Sequence, residues 1–81
     1  MKIIHTWVID EGNTAYELSG WPDLFEQLEF IAWSVEIGAD PYVEVKSFYI
    51  AQGMGDVDYP AIQASVNTPE AIKTLLLLKW S

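Results

Sequence analysis

The chain contains no cysteine, no arginine and a single histidine, His5, among its 81 residues. Without cysteine there is no disulfide, no thiolate metal site and no cysteine nucleophile. A chain that folds without oxidation is expected in the cytoplasm. Without arginine, and with a net charge of −8, the surface repels phosphate, so direct binding to nucleic acid or to an anionic membrane is not expected. Long apolar runs are missing as well. The leucines at residues 75–78 fall far short of the roughly 20 residues that cross a bilayer. The first residues lack the basic start and apolar stretch of a signal peptide.

Catalytic patterns are equally scarce. His5 sits in a strand-like run beside Trp7 and has no evident partner for acid–base work, and no nucleophile-elbow pattern accompanies any serine. The segment Gly53-Met54-Gly55-Asp56-Val57-Asp58 carries a D-x-D, but it lacks the further ligands and distal glutamate of a calcium loop. Its glycines are not followed by the G-K-[ST] of a phosphate loop, so it reads as a solvated acidic turn. Carboxylates are numerous enough for a glycosidase-like pair, yet one layer of helix on one sheet offers little depth for the cleft such a pair needs. The expectation is a protein that is not an enzyme, with no cofactor and no metal site.

What is present is apolar mass and one-sided charge. Hydrophobic residues make up 51% of the chain, with four Trp, four Tyr and three Phe, enough for residues 1–81 to fold as a single small acidic domain instead of a disordered tail. Asp10, Glu11, Glu17, Asp23, Glu26, Glu29, Glu36, Asp40 and Glu44 lie in a stretch without a single lysine. From Lys46 onward, Lys46, Lys73 and Lys79 offset Asp56, Asp58 and Glu70. The first half is therefore acidic and the second close to neutral.

Residues 2–9 are rich in β-branched and aromatic side chains. Asp10-Glu11-Gly12-Asn13 then makes a turn before a second run at residues 14–18, which predicts a β-hairpin. Alternation does not choose which side of the first strand is buried. Residues 19–38 predict the longest helix, with Pro22 in its first turn, Asp23 near the positive end of the dipole and Gly38 as its stop. Residues 42–51 form a third strand with Val43, Val45 and Tyr49 inward, a loop spans residues 52–58, and residues 59–66 form a fourth strand in which Pro60 marks an edge or a start. Thr68, Pro69 and Glu70 predict a second helix start with Thr68 as N-cap, and the helix continues to about Trp80.

The two halves share this order: Trp21-Pro22-Asp23-Leu24-Phe25 matches Thr68-Pro69-Glu70-Ala71-Ile72, and Trp33 falls opposite Trp80. The predicted fold is α+β, a ββαββα chain forming a four-stranded antiparallel sheet with two helices on one face. Along the first helix, Leu24, Phe25, Leu28, Ile31, Ala32 and Val35 share one side and read as the core stripe. Phe30, Trp33 and Ile37 share the opposite side, flanked by Glu26, Glu29 and Glu36, and read as an outward aromatic stripe framed by carboxylates.

Function is expected to lie in that second stripe. Carboxylates spaced along a helix compete for the lysines and arginines that hold phosphates, and an aromatic anchor supplies the central contact that charge alone lacks. The expected partner is a basic, nucleic-acid-binding protein, inhibited by contacts from Glu26, Glu29, Phe30, Trp33, Glu36, Asp10, Glu11 and Asp40. In size and charge the chain resembles small acidic phage-encoded antagonists of host defence, anti-CRISPR proteins among them, a resemblance of composition alone. An aromatic platform for single-stranded RNA, carried by Tyr42 and Phe48 on the open sheet face, is disfavoured by the acidic field. The alternative of a different class is a self-associating, antitoxin-like regulatory domain that dimerises through the leucine-rich last helix, with Leu77 and Trp80 as its contacts.

Overall fold

The computed structural model describes residues 1–52 and 55–81, and side chains outside residues 50–57. Its elements are β1 (Ile3–Val8), a 3-10 turn (Asp10–Gly12), β2 (Thr14–Leu18), α1 (Leu24–Glu36), β3 (Val43–Gln52), β4 (Gly55–Ala64) and α2 (Glu70–Trp80). This is the expected α+β order. The four strands form one antiparallel sheet in the order β1-β2-β4-β3, so two hairpins meet through their second strands. Both helices pack on the same face, where Phe30, Ile72, Leu76 and Trp80 close over Ile3, Tyr16, Leu18, Val43, Ile62 and Ala64.

The first hairpin turns where the sequence places it. Glu11 and Gly12 adopt φ of 55° and 83°, the left-handed region that glycine enters without strain. A β-carbon on Gly12 would also sit 3.1 Å from Val66 Cγ2, so the position is short of both conformational freedom and space. The Asn13 side chain accepts a 2.8 Å bond from the Val66 amide and ties this turn to the end of β4.

Neither alternating set of β1 faces the core as a whole. A register shift between Ile3 and His5 switches the strand's sides: Ile3 is buried, whereas His5 and Trp7 emerge on the helix-free face opposite Glu17 and Ala15. There the His5 and Trp7 rings lie 4.1 Å apart, and Trp7 Nε1 donates to Glu17 Oε1 at 3.1 Å. Ala15 and Ala61 are fully buried on the same side, because small residues under tall cross-strand neighbours are covered without a helix.

The second hairpin is longer than expected. Its register runs unbroken from Val43 opposite Ala64 to Gln52 opposite Gly55, so most of the residues expected to form a loop belong to the ladder. The D-x-D reading rests on Asp56, whose side chain lies outside the described residues, as do Gly53 and Met54. β2 pairs with β4 only from Ala61 onward. Pro60, which has no N–H to give, therefore stands where β4 changes from a central to an edge strand, in keeping with its expected role. Within β3, Val43 is buried and Val45 packs against the core, but Tyr49 is exposed: it lies on the ribbon beyond the reach of the helices. Tyr42, expected on the open face, packs against the core instead.

Candidate functional site

Helix α1 is set by its ends. Asp23 is the N-cap; its carboxylate accepts from the Glu26 amide at 2.8 Å while Glu26 Oε1 accepts from the Asp23 amide at 3.1 Å, a reciprocal capping box that Pro22 precedes. At the other end Gly38 has φ 75°. Its amide donates to Val35 O at 3.2 Å, and that of Ala39 donates to Ser34 O at 2.7 Å, the paired bonds of a Schellman cap. Helix α2 opens differently. Pro69 is its N-cap and no side chain caps it, because the Thr68 hydroxyl is turned to the Ser65 hydroxyl at 3.3 Å and to Tyr42 O at 3.5 Å. Thr68 is therefore not the cap that its residue type suggests.

Between these ends the roll of α1 is the reverse of the expectation. Phe30 is 3% exposed, and Phe30, Trp33 and Trp80 form an aromatic trio with ring centroids 6.0 to 6.1 Å apart. Ile37 packs against the same core. Leu24, Phe25, Leu28, Ile31 and Val35 are each more than half exposed, Phe25 at 82%. Two stripes of similar regularity competed for the sheet. The aromatic one won because each buried ring removes about 150–250 Å² from water, more than an aliphatic side chain can. The residues expected to hold the fold are the ones left outside.

The acidic residues are redistributed accordingly. Glu26 is bonded to the Met1 ammonium and to the Asp23 amide, and these contacts, the ammonium first, hold its carboxyl below the usual range. Glu29 lies 3.6 Å from Lys79 of α2. Both are partnered within the chain. Asp10 and Glu11 belong to the first-hairpin turn, whose backbone closes on Asn13, so they join a different part of the molecule. Glu36 is exposed in the last turn of α1, where no basic residue offsets the negative end of the helix dipole. Asp40 follows it, its amide bonded to Ser34 O at 3.0 Å.

The structure places Asp40 beside a groove that sequence reasoning missed. Between α1 and β3 lies a cleft of about 370 Å³. Gln27, Ile31 and Ser34 form one wall, Val43 and Val45 the other, with Phe30 behind them and Asp40 and Glu44 beside them. Ser34 is buried and donates to Ile31 O at 2.8 Å. The one available signal was the length of the β-rich run at residues 42–51, which contains no proline to blunt an edge.

Of the expected dimer contacts, Leu77 is partly exposed, but Trp80 is 6% exposed and belongs to the core trio. An interface that uses the Trp80 ring would require the core to open. On the helix-free face, Phe48 stacks on Tyr59 at 5.8 Å and Lys46 pairs with Glu44 at 3.3 Å. Burial, then the nearby Glu17, raises the Tyr59 phenol above its ordinary value. Among the described residues no group of three or more His, Asp or Glu is arranged to hold a metal ion, and no helix is long and apolar enough to cross a membrane. Comparison with protein-family models, curated proteins and solved structures finds no match.

Proposed function

We propose that the protein is a non-enzymatic binding module that acts in the cytoplasm by occupying a surface of a partner protein, with the outward side of α1 as its contact. One observation carries this reading. Leu24, Phe25, Leu28, Ile31 and Val35 form a continuous apolar side on one short helix, each more than half exposed, and a patch of that kind marks an interaction surface. The field around it selects the partner. A chain of net charge −8, with Glu36 and Asp40 at the C-terminal end of the helix, favours a surface that combines an apolar patch with surrounding lysines and arginines. Where such a surface normally holds nucleic acid, its occupation is inhibitory.

The test uses the outward side chains, whose loss leaves the core intact. Leu24→Glu and Leu28→Glu should fold with unchanged circular dichroism and lose capture of a basic partner, and Glu36→Lys with Asp40→Lys should weaken capture most at low salt. Undiminished capture by the leucine variants overturns the reading.

A second reading, self-association, is favoured by the stripe itself. Leu24, Leu28, Ile31 and Val35 recur at alternating steps of four and three, and Gln27, Ala32 and Ser34 beside them carry no charge. It moves the dimer contact from Leu77 and Trp80 to α1. Sedimentation at micromolar concentration separates the two: a dimer dispersed by Leu28→Glu supports this reading, and a monomer sinks it.

A further inference from the structure

The two edges of the sheet are unequal. β1 has six residues and is irregular, with its register shift between Ile3 and His5. β3 has ten residues, pairs only with β4, and carries neither proline nor bulge. Short length, a bulge, proline and charged side chains are devices by which an edge strand is kept from pairing with other chains; of these β3 carries only the paired charges of Glu44 and Lys46. Because its Val43 amide already donates to Ala39 O at 3.1 Å, the edge positions offered beside the groove are those of Val45 and Ser47. Beside this edge lies the groove of about 370 Å³, walled by Ile31 of α1 and by Val43 and Val45 of β3. Asp40 lies next to it, while Glu44 lines its rim with its carboxylate paired to Lys46 at 3.3 Å, and Glu36 and the negative end of the α1 dipole are close by in the chain.

We propose that the groove between α1 and β3 receives an extended segment of a basic partner protein, which adds to the sheet as a fifth strand along the outer edge of β3 at Val45 and Ser47. Strand addition draws its affinity from backbone hydrogen bonds and its specificity from alternate side chains. The alternation follows from β3 itself. Val43 and Val45 face the helix layer while Glu44 and Lys46 face the other side. A neighbouring strand therefore sends one set of side chains into the apolar cleft below Ile31 and the other set out beside Glu44 and Lys46. The segment that fits alternates apolar with polar residues and is basic as a whole, set against the chain's net charge of −8. A second copy of this chain fits less well, because two chains that each carry a net charge of −8 repel one another.

This inference rests on the reading of the α1 side as a docking surface, and the experiment separates the two. The probe is a capped peptide of alternating valine and lysine, titrated into the intact protein at low and moderate salt. Binding should slow amide exchange along β3 and leave β1 unaffected. It should weaken by about tenfold when alternate peptide nitrogens are methylated, since methylation removes backbone bonds and keeps every charge. It should weaken similarly with Ile31→Lys, a substitution of an exposed side chain, and disappear when the lysines of the peptide are replaced by glutamate. Equal affinity of the methylated peptide, or unchanged exchange in β3, overturns strand addition. A concentration-dependent dimer that protects β3 without peptide overturns it in favour of a second copy. If Leu28→Glu abolishes capture of a protein partner while Ile31→Lys and peptide methylation have no effect, the docking reading stands and the added strand does not.

Discussion

Helices α1 and α2 begin alike and end up differently employed. Each follows a hairpin, each has a proline and an acidic residue at its start, and each sends a tryptophan into the same aromatic trio. α2 keeps Ile72, Leu76 and Trp80 on the sheet, one side chain per turn. α1 buries Phe30 and Ser34 with Trp33 and Ile37 half-covered, and leaves a second apolar side facing water. α2 also exposes leucines, Leu78 at 76%, but they interrupt a run that is apolar nearly all round, whereas the outward residues of α1 form a separate stripe. The same opening grammar does not decide which side of a helix is structural. The bulkier side chains decide it, and the lighter stripe becomes available for another molecule.

Truncating the trio should have the largest effect. Phe30→Ala and Trp80→Ala should each lower stability by about 3–5 kcal/mol in chemical denaturation, the cost of an emptied aromatic site. Leu28→Ala and Phe25→Ala on the outward side should change it by no more than about 0.5 kcal/mol. Similar losses on both sides would mean that α1 is rolled otherwise. The helix ends come next. Asp23→Ala should cost about 1 kcal/mol through loss of the capping box, visible as faster amide exchange in the first turn of α1 and not of α2. Gly38→Ala should cost about 1 kcal/mol, because a β-carbon is strained at φ 75°, read as a lower Tm with an unchanged fold.

The smallest effects are those of pH. Glu26 has its carboxyl held down by the Met1 ammonium and then by the Asp23 amide. The stability it contributes is present above the ordinary carboxylate range and is lost as pH falls through the depressed value. Glu26→Gln should flatten that acid limb in a series of Tm measurements. Tyr16, raised by burial and then by Glu70 of α2, behaves in the opposite sense. Its contribution is complete below the ordinary phenol range and is lost as pH climbs toward the raised value, so Tyr16→Phe should flatten the alkaline limb.

Much of the framework was legible because it depends on local chemistry. The Asp10–Gly12 turn, the stop at Gly38 and the place of Pro60 each follow from what one residue can or cannot do with its own backbone. The element order and the single helix-covered face follow from periodicity. The roll of α1 was not legible, since two stripes of comparable regularity leave the choice to long-range packing with Trp80. Nor was the β1 register shift, which exchanges faces without a glycine or proline to announce it. The acidic residues were legible as a population but not as a site: Glu26 and Glu29 found partners in the Met1 ammonium and Lys79, groups distant in the chain. Glu44 gained its position beside the groove from the edge status of β3, a property of the whole sheet.

The way the two hairpins join has a consequence for how the chain folds. The β1/β2 and β3/β4 ladders close between neighbours in the sequence, while the ladder of Thr14–Glu17 against Ala61–Ala64 joins the halves across most of the chain. Closing that distant pairing bears the largest loop entropy, so it is expected to be the slow step of folding. Ala15 and Ala61 are fully buried at this seam, and substitutions there are expected to change the folding rate. A larger residue at Ala61 should slow refolding in stopped-flow measurements, whereas truncation at Phe48, beyond the seam, should act mainly by hastening unfolding.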